Sequence, residues 1–420
     1  MEEVIRIEGG HTLNGTIRVS GAKNATVALI PASVLATKPV RLVGIPNISD
    51  VKSLKKCLEY LEIDVNSTLS DEIYIDPSHM VNKPLDIEAV SKLRASYYFM
   101  GALLGKYRKV VIKMPGGCNL GPRPIDLHIK GFEALGAKVD YTDDTYTITA
   151  DRLKGTRIYL DFASVGATIN IIMAAVYAEG RTVIENAARE PEIIDVITLL
   201  NKMGASIKGA GTNVITIDGV KELGGCFHEI IPDRIEAGTF MILAAAMADH
   251  VTLENVIPYH LDALMSKLKE AGVHIDSKID YVDIYRSDKL KAVDIKTSPY
   301  PGFATDLQAP LSSLLTQATG ISTVTETIYP ERFKHCEQLR KMGANTSVTY
   351  PKATIIGKTP LVGTDVWATD LRCGAGMVVA GLLAEGITTI HDIYHIDRGY
   401  ENLDGKLQEI GAKIWRETID

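Results

Sequence analysis

The stretch FEALGAKV (residues 132–139) ends an amphipathic segment on a glycine and continues into a strand-like one, and this pattern recurs along the chain. The copies are LNKMGASI, LKEAGVHI, LRKMGANT and LQEIGAKI, and LEYLEIDV (residues 58–65) is a degenerate copy without the glycine. The glycines are 68 to 71 residues apart, at Gly136, Gly204, Gly272, Gly343 and Gly411. Glycine commonly ends a helix before a strand. Six units of about 70 residues therefore describe the whole chain as an array of one α/β motif.

Each unit also contains a segment that is apolar on nearly every helical face. These segments are AKNATVALIPASVLA, LRASYYFMGALLG, VGATINIIMAAVYAEG, RIEAGTFMILAAAMAD, TDLQAPLSSLLTQATG and TDLRCGAGMVVAGLLAEG. A helix without a polar face is buried on all sides. β-branched runs such as RTVIENA, VTLENV and TTIHDI follow them and predict strands. We therefore expect one buried helix, one amphipathic helix and several strands in every unit.

Composition and charge exclude several classes of protein. A chain of 420 residues predicts two or more domains, and 46% hydrophobic with 23% charged residues is typical of a soluble globular protein. The net charge of −7, without a block of basic residues, argues against nucleic acid as a partner. An anionic substrate would need a local cluster of positive charge.

Cysteine usage and the apolar runs predict a cytoplasmic protein. The five cysteines lie far apart without a C-x-x-C pair, which argues against disulfides and zinc and favours a reducing compartment. The first residues, MEEVIRIEGG, lack the apolar region of a signal peptide. The longest apolar run, residues 240–248, is too short to cross a bilayer, so no membrane association is expected. No feature indicates an obligate protein partner.

Charged residues fall at the starts of the buried helices. Lys23, Arg94, Asp306 and Asp370 all occupy such starts. An aspartate there is commonly a helix cap, and this alternative stays open for both aspartates. Lys23 and Arg94 oppose the helix dipole, so either an anion offsets their charge or they point into solvent. These two cations are therefore the informative pair.

Two loop motifs combine glycine with reactive or cationic groups. MPGGCNLGPRP (residues 114–124) places Cys118 and Arg123 among glycines and prolines, where the backbone can approach a ligand closely. Neighbouring cations favour a reactive thiolate. HIDRGYENL (residues 395–403) places Arg398 on a loop after a strand, as an anion-binding group or as a surface ion pair. There is no H-E-x-x-H, no G-x-x-x-x-G-K-[ST] and no G-x-G-x-x-G after a strand, so no metal and no cofactor is predicted.

Seven segments together resemble those of one enzyme family. They are SGAKNA, RASYYFMGALLG, PGGCNLGPRPIDLH, PDRIEAGTF, PGFATDLQAPL, ATDLR and HIDRGYE. They are similar to segments of the UDP-N-acetylglucosamine 1-carboxyvinyltransferases, which belong to the enolpyruvyl transferases, and the resemblance extends over the whole chain. It implies two inside-out α/β barrel domains of three repeats each. One domain would comprise residues 22–229 and the other residues 1–21 with 230–420, with the active site in the cleft between them.

The resemblance also implies a reaction and its residues. Phosphoenolpyruvate would transfer its enolpyruvyl group to the 3′-hydroxyl of UDP-N-acetylglucosamine by addition and elimination, with release of phosphate. Cys118 would be the general acid or covalent partner, or act in product release, and Asp306 would be the base at the sugar hydroxyl. The residues expected at phosphoenolpyruvate are Lys23, Asn24, Arg123, Arg372 and Arg398, of which Lys23 and Arg398 are also counted as catalytic.

A second set of residues is expected at the nucleotide sugar. It comprises Arg94, Arg123, Pro124, Ile125, Asp126, Leu127, Ser164, Val165, Asp306 and Ile328. Asp370 would support the site by orienting its other groups. Two departures from the family pattern are Cys373, where a small residue is expected, and Ala304, where relatives often have proline.

Three other functions remain as alternatives. An enolpyruvyl transferase acting on 3-phosphoshikimate shares the fold and the chemistry, but it lacks the Gly-Gly-Cys loop. A non-catalytic nucleotide-sugar-binding paralogue is disfavoured by the joint retention of Lys23, Cys118, Arg123, Asp306 and Arg398. An RNA 3′-phosphate cyclase is built on related repeats, but it needs a nucleophilic histidine and a basic surface.

Overall fold

The computed structural model describes residues 1–114 and 125–419. They form two compact units. Unit 1 contains residues 1–20 and 232–419, and unit 2 contains residues 21–114 and 125–231. The chain therefore begins in unit 1, builds unit 2 and then completes unit 1.

The predicted buried helices are confirmed. In unit 2 they are Lys23–Ser33, Tyr98–Tyr107 and Val165–Ala175, and in unit 1 they are Arg234–Met247, Gln308–Leu315 and Leu371–Leu383. Nearly every residue of these helices is buried, including polar ones such as Thr168 and Ser312. Within a unit the helices pack so closely that a Cβ added at Gly101 would clash with the backbone carbonyl of Asn170. Each unit has one continuous apolar core around its three helices.

The predicted amphipathic helices are confirmed as well. They are Ser49–Tyr60, Asp126–Ala134, Pro191–Lys202, Asp262–Glu270, Lys334–Lys341 and Leu403–Glu409. The glycines that follow five of them have φ between 97° and 109°, the left-handed conformation that stops a helix. Glu62 occupies the same position in the degenerate copy and adopts φ 58°. The shared conformation identifies LEYLEIDV as the sixth copy of the repeat.

Unit 1 contains three four-stranded sheets among its described residues. In spatial order, the strands of the first are Asp365–Trp367, Ile387–His391, Glu2–Glu8 and Lys413–Ile419. Those of the second are His274–Ser277, Tyr281–Tyr285, Ala248–Glu254 and Leu13–Arg18. Those of the third are Ile295–Lys296, Gly320–Thr325, Lys352–Gly357 and Asn345–Thr349.

Unit 2 repeats the arrangement with one shorter sheet. Two sheets have four strands each. In spatial order, the strands of the first are Cys226–Glu229, Val40–Val43, Glu72–Asp76 and Asp64–Asn66. Those of the second are Ser206–Lys208, Val214–Asp218, Arg181–Glu185 and Arg157–Tyr159. The third contains Lys109–Lys113, Thr145–Thr149 and Lys138–Thr142, and Leu85 adds only an isolated parallel bridge to Ile112. In all six sheets of the described residues, the strand after a buried helix has one parallel neighbour or bridge and one antiparallel neighbour. Each of these sheets is open, so none closes into a hydrogen-bonded barrel.

Short helices complete the described part of the chain. They are Glu88–Lys92 and Tyr394–Asp397, with 3₁₀ turns at Arg94–Tyr97, Pro258–Leu261 and Thr305–Leu307. Two of these turns lead directly into buried helices and carry predicted site residues, Arg94 and Asp306. Within residues 1–114 and 125–419 no helix is long and apolar enough to cross a membrane.

Candidate active site

In unit 1 the carboxylate of Asp306 lies between two arginines. Its Oδ1 accepts a hydrogen bond from Nη1 of Arg332 at 2.7 Å, and its Oδ2 accepts one from Nη2 of Arg372 at 3.3 Å. Both arginine side chains are almost fully buried, whereas the Asp306 side chain is 24% exposed. Asp306 is the first-turn acid of the 3₁₀ turn Thr305–Leu307, which projects it beyond the buried helix Gln308–Leu315. The sequence-predicted residues Asp306 and Arg372 are thus in direct contact.

Both arginines keep a fixed positive charge despite their burial. Desolvation opposes the charge, but the carboxylates of Asp306 and Asp370 together outweigh it and raise the pKa of Arg332 above its ordinary value. For Arg372, the electrostatic effects of Tyr400 and Asp306 likewise overcome desolvation, and the pKa is raised. The pair is therefore a dense cationic site of the kind that binds phosphate or carboxylate.

Arg372 is held rigidly by its neighbours. Asp370 caps the helix Leu371–Leu383, and its Oδ1 accepts the backbone N–H groups of Arg372 at 2.9 Å and Cys373 at 3.1 Å. Nη1 of Arg372 donates to the hydroxyl oxygen of Tyr400 at 3.0 Å, and this hydroxyl lies 2.8 Å from Oγ1 of Thr239. Asp370, predicted to support the site, thus caps the helix whose second residue is Arg372.

A second network joins Asp306 to Ile328. Nη1 of Arg332 also donates to Oγ1 of Thr305, which in turn donates to Oε2 of Glu326 at 2.8 Å. The buried Glu326 carboxylate accepts the backbone N–H of Ile328 at 2.8 Å. Ile328, a predicted nucleotide-sugar contact, is half-buried on the loop that this carboxylate orders.

In unit 2 the predicted cation Lys23 is paired with a buried acid. Lys23 is the first residue of the helix Lys23–Ser33, and its Nζ lies 3.1 Å from Oδ2 of Asp50. Both side chains are largely buried, and Asp50 belongs to the first turn of Ser49–Tyr60. Asp50 therefore supplies the negative charge that a lysine at a helix start requires. Asn24 is half-buried and follows Lys23 in the same first turn.

Arg94 stands beside an aromatic and histidine cluster. Its guanidinium lies 5.8 Å from the centre of the Tyr97 ring, and that ring meets the ring of His128 edge to face at 4.9 Å. A Cβ added at Gly166 would come within 2.7 Å of the Tyr97 hydroxyl and 3.0 Å of His128. This close approach brings the start of the helix Val165–Ala175, capped by Ser164, onto the cluster.

His128 is neutral and its tautomer is fixed by hydrogen bonding. Oδ1 of Asn170 accepts the backbone N–H of Gly101, so the Asn170 amide nitrogen donates to Nδ1 of His128 at 2.9 Å. The imidazole proton is then on Nε2. Burial, together with the charge of Arg94, lowers the pKa of His128 to about 3.

The remaining predicted residues differ in their burial and in their place in the fold. Ile125 is buried at the start of Asp126–Ala134, Asp126 is exposed, and Leu127 and Val165 are half-buried. Arg398 is half-buried directly after the helix Tyr394–Asp397. Cys118, Arg123 and Pro124 lie outside the described residues.

The four described cysteines are free thiols without an activated environment. Burial raises the pKa of Cys57, Cys336 and Cys373 to about 12 and raises that of Cys226 as well. Cys373 follows Arg372 in the chain, yet its Sγ is buried against the Trp367 carbonyl oxygen at 3.6 Å. It is a core thiol and not a second reactive one.

Sequence reasoning missed Arg332, Asp50 and His128. Arg332 is part of YPERFKH and Asp50 of NISDVKS, and neither stretch differs from an ordinary polar segment. Their importance arises from contacts with residues distant in the chain. Within the ranges 1–114 and 125–419, no group of three or more histidine, cysteine, aspartate or glutamate side chains could hold a metal ion.

Comparison with known proteins relates the chain to one family. Residues 7–407 match the family model of EPSP synthase (3-phosphoshikimate 1-carboxyvinyltransferase). UDP-N-acetylglucosamine 1-carboxyvinyltransferase 2 of Bacillus cereus is 59% identical over 417 residues, covering 99% of this chain and 97% of that protein. Its namesake in Bacillus subtilis is 58% identical over 418 residues, with the same coverage of both chains.

Solved structures agree on the fold. The enolpyruvyl transferase NikO from Streptomyces tendae superposes with a TM-score of 0.92 at 25% identity, and the match covers all of both chains. EPSP synthase from Acinetobacter baumannii gives a TM-score of 0.76 at 21% identity, again over both full chains, and shows likeness of fold alone.

Proposed function

This chain belongs to the EPSP synthase family of enolpyruvyl transferases, and within that family we infer that it transfers the enolpyruvyl group of phosphoenolpyruvate to the 3′-hydroxyl of UDP-N-acetylglucosamine. Phosphate is the second product, and the reaction is the first committed step of peptidoglycan synthesis. The observation that carries the choice of acceptor is the 59% identity over 99% of the chain to an enzyme named for that acceptor.

The proposed reaction has two steps, an addition followed by an elimination. In the addition, C3 of phosphoenolpyruvate gains a proton, the sugar O–H bond breaks and a bond forms between the sugar oxygen and C2. In the elimination, C3 loses a proton and the bond from C2 to the phosphate oxygen breaks, which restores the double bond. This sequence needs an acid, a base and positive charge around the phosphate and carboxylate.

In our proposal the described residues of unit 1 supply the base and part of the charge. Asp306 accepts the proton of the sugar hydroxyl. Arg372 binds the carboxylate of phosphoenolpyruvate, and the buried Arg332 adds a fixed positive charge on the other oxygen of Asp306. An arriving anion competes with Asp306 for these guanidinium donors, so substrate binding would free an oxygen of the base for the proton.

The other proposed roles follow the family resemblance. Lys23, Arg123 and Arg398 hold the phosphate, and Asn24 lies next to Lys23. Cys118 acts as general acid or forms the covalent partner of phosphoenolpyruvate. The nucleotide sugar contacts Arg94, residues 123–127, Ser164, Val165 and Ile328.

Phosphate release from phosphoenolpyruvate tests the proposal directly. The acceptors to compare are UDP-N-acetylglucosamine and shikimate 3-phosphate, with Asp306→Asn as the matched variant. We expect release with the nucleotide sugar alone and its loss in the variant. Release only with shikimate 3-phosphate would keep the chemistry and replace the acceptor. Absence of release with both would instead favour a paralogue that binds nucleotide sugars without catalysis.

A further inference from the structure

We infer that Arg416 is a positioning residue that fixes Arg398 for phosphoenolpyruvate binding. The inference rests on the proposed function, in which Arg398 holds the phosphate. Arg416 belongs to the last strand, Lys413–Ile419, and acts through the residue that precedes Arg398 in the chain.

Arg416 forms a bidentate ion pair with Asp397 through both terminal nitrogens of its guanidinium. Nη2 donates to Oδ1 of Asp397 at 2.6 Å, and Nη1 donates to Oδ2 at 3.0 Å. Two parallel charge-assisted bonds of this kind fix the orientation of a carboxylate as well as its distance. Because Asp397 is the last residue of the one-turn helix Tyr394–Asp397, these hydrogen bonds also fix the position of the backbone at Arg398.

Further hydrogen bonds connect Arg416 to a neighbouring helix and a neighbouring strand of unit 1. Nε and Nη2 donate to Oδ1 of Asp404 at 3.1 and 3.0 Å, and Nη1 reaches Oε2 of Glu3 at 3.4 Å. Asp404 lies on the helix Leu403–Glu409, and Glu3 lies on the neighbouring strand Glu2–Glu8. Hydrogen bonds to Asp397, followed by those to Asp404, raise the pKa of Arg416 above its ordinary value, so its charge does not vary with pH.

The chain on the other side of Arg398 is held independently. A Cβ added at Gly399 would come within 2.5 Å of the Leu371 side chain, so the backbone is pressed against the start of the helix that carries Arg372. The Tyr400 hydroxyl, in turn, accepts from Arg372 at 3.0 Å. Arg398 is therefore bracketed by two fixed points, and only the one at Asp397 depends on Arg416.

A structural role alone would give Arg416 a different signature. Its side chain is 27% exposed, so solvent screens part of its charge, but a bidentate network to several carboxylates contributes more to the free energy of unfolding than an isolated surface ion pair. A purely structural loss would lower stability without a preference between the substrates, whereas misplacement of Arg398 would raise the KM for phosphoenolpyruvate selectively. A displacement of about 1 Å in a substrate-holding group can cost up to roughly 100-fold in rate.

The test compares steady-state kinetics of Arg416→Ala, Arg416→Lys and the control Arg6→Ala. Arg6 belongs to the same sheet, and its Nε lies 2.9 Å from the Glu417 carboxylate, away from the helix Tyr394–Asp397. For Arg416→Ala we expect the KM for phosphoenolpyruvate to rise about tenfold and the KM for UDP-N-acetylglucosamine to stay within about twofold. Arg416→Lys should fall between wild type and Arg416→Ala, since lysine keeps the charge and loses the fork. Arg6→Ala should match wild type.

Three kinetic outcomes would contradict the positioning role of Arg416 or the proposed function. If Arg416→Ala and Arg6→Ala have the same KM for phosphoenolpyruvate, Arg416 does not position Arg398. If both KM values of Arg416→Ala rise together, the effect is general and the inference is wrong. If Arg416→Ala does not fold, Arg416→Lys and Asp397→Asn carry the same test, each with a selective rise expected. A wild-type protein that neither turns over nor binds phosphoenolpyruvate overturns the proposed function, and this inference with it.

Discussion

Asp306 accepts a hydrogen bond from Arg332 at 2.7 Å, and this bond joins the proposed base to a buried cation 26 residues further along the chain. Nε of Arg332 is buried and has no hydrogen-bond partner among the described residues. Asp306 is therefore the main compensating charge of Arg332, and the carboxylate of Asp370 adds to it. The same bond keeps one oxygen of the proposed base engaged with a fixed positive charge.

Replacing Asp306 by asparagine should separate its chemical role from its structural one. The amide oxygen can still accept from Arg332, while the amide nitrogen cannot take a proton from the sugar hydroxyl. We expect turnover to fall about 100-fold or more, with binding of UDP-N-acetylglucosamine largely retained. Rapid-mix turnover and equilibrium binding of the nucleotide sugar measure the two effects. Near-normal turnover would reduce Asp306 to a group that orders the two arginines.

Alkylation should identify Cys118 as the reactive thiol. Burial raises the pKa of Cys57, Cys336 and Cys373 to about 12, so these three are almost entirely thiols at neutral pH. We expect a small phosphonate epoxide to add once to the native wild-type protein and not to Cys118→Ser, as read by intact-protein mass spectrometry. Cys373→Ser is the matched control and should be alkylated like wild type. An adduct on Cys118→Ser would show that another thiol is the reactive one.

The fold could be predicted from the sequence because its signals are local. An all-round apolar segment and a glycine stop are each readable within one helix, and both appear in the structure at the expected places. Glu62 shows why the sixth copy was harder to recognise, since the left-handed conformation there is imposed by the surrounding repeat and not by the residue itself.

The site could be predicted only where a residue's type and place carried the signal. A lysine at a buried helix start predicted either an anionic partner or a side chain in solvent, and the structure supplies the partner Asp50. Which acid it would be depended on how two helices pack, and no local pattern encodes that. Arg332 was missed for the same reason, because an arginine in a polar loop and an arginine buried against Asp306 look alike in sequence.

Glycine at position 62 should stabilise the protein. Glu62 adopts φ 58°, where a residue with a Cβ is strained by about 1 kcal/mol. The other five copies have glycine at this position and avoid that strain. Its ion pair with Lys83 is exposed and contributes little. We expect Glu62→Gly to raise the free energy of unfolding by about 0.5–1 kcal/mol in urea titrations. Glu62→Ala loses the same ion pair without relieving the strain. A glycine variant no more stable than the alanine variant would contradict the strain assigned to the left-handed conformation of residue 62.

Acid should destabilise unit 2 through His128. Burial and then Arg94 lower its folded-state pKa to about 3, while the unfolded chain binds the proton near pH 6.5. The stability supplied by neutral His128 is therefore complete above pH 6.5 and is lost progressively as the pH falls from 6.5 towards 3. Each pH unit in this window costs up to about 1.4 kcal/mol.

Substitution by glutamine isolates that contribution, because His128→Gln removes the titrating group and keeps a side chain able to accept from Asn170. Urea unfolding at pH 7.5 and pH 5.0 should show wild type losing about 1–2 kcal/mol more than the variant between the two values. His250 in unit 1, whose side chain is 45% exposed, is the control position, since its replacement by glutamine leaves the buried imidazole of His128 in place and should preserve the full acid loss. Equal losses in wild type and His128→Gln would mean that His128 takes up its proton as readily in the folded protein as in the unfolded chain, which would contradict the lowered pKa.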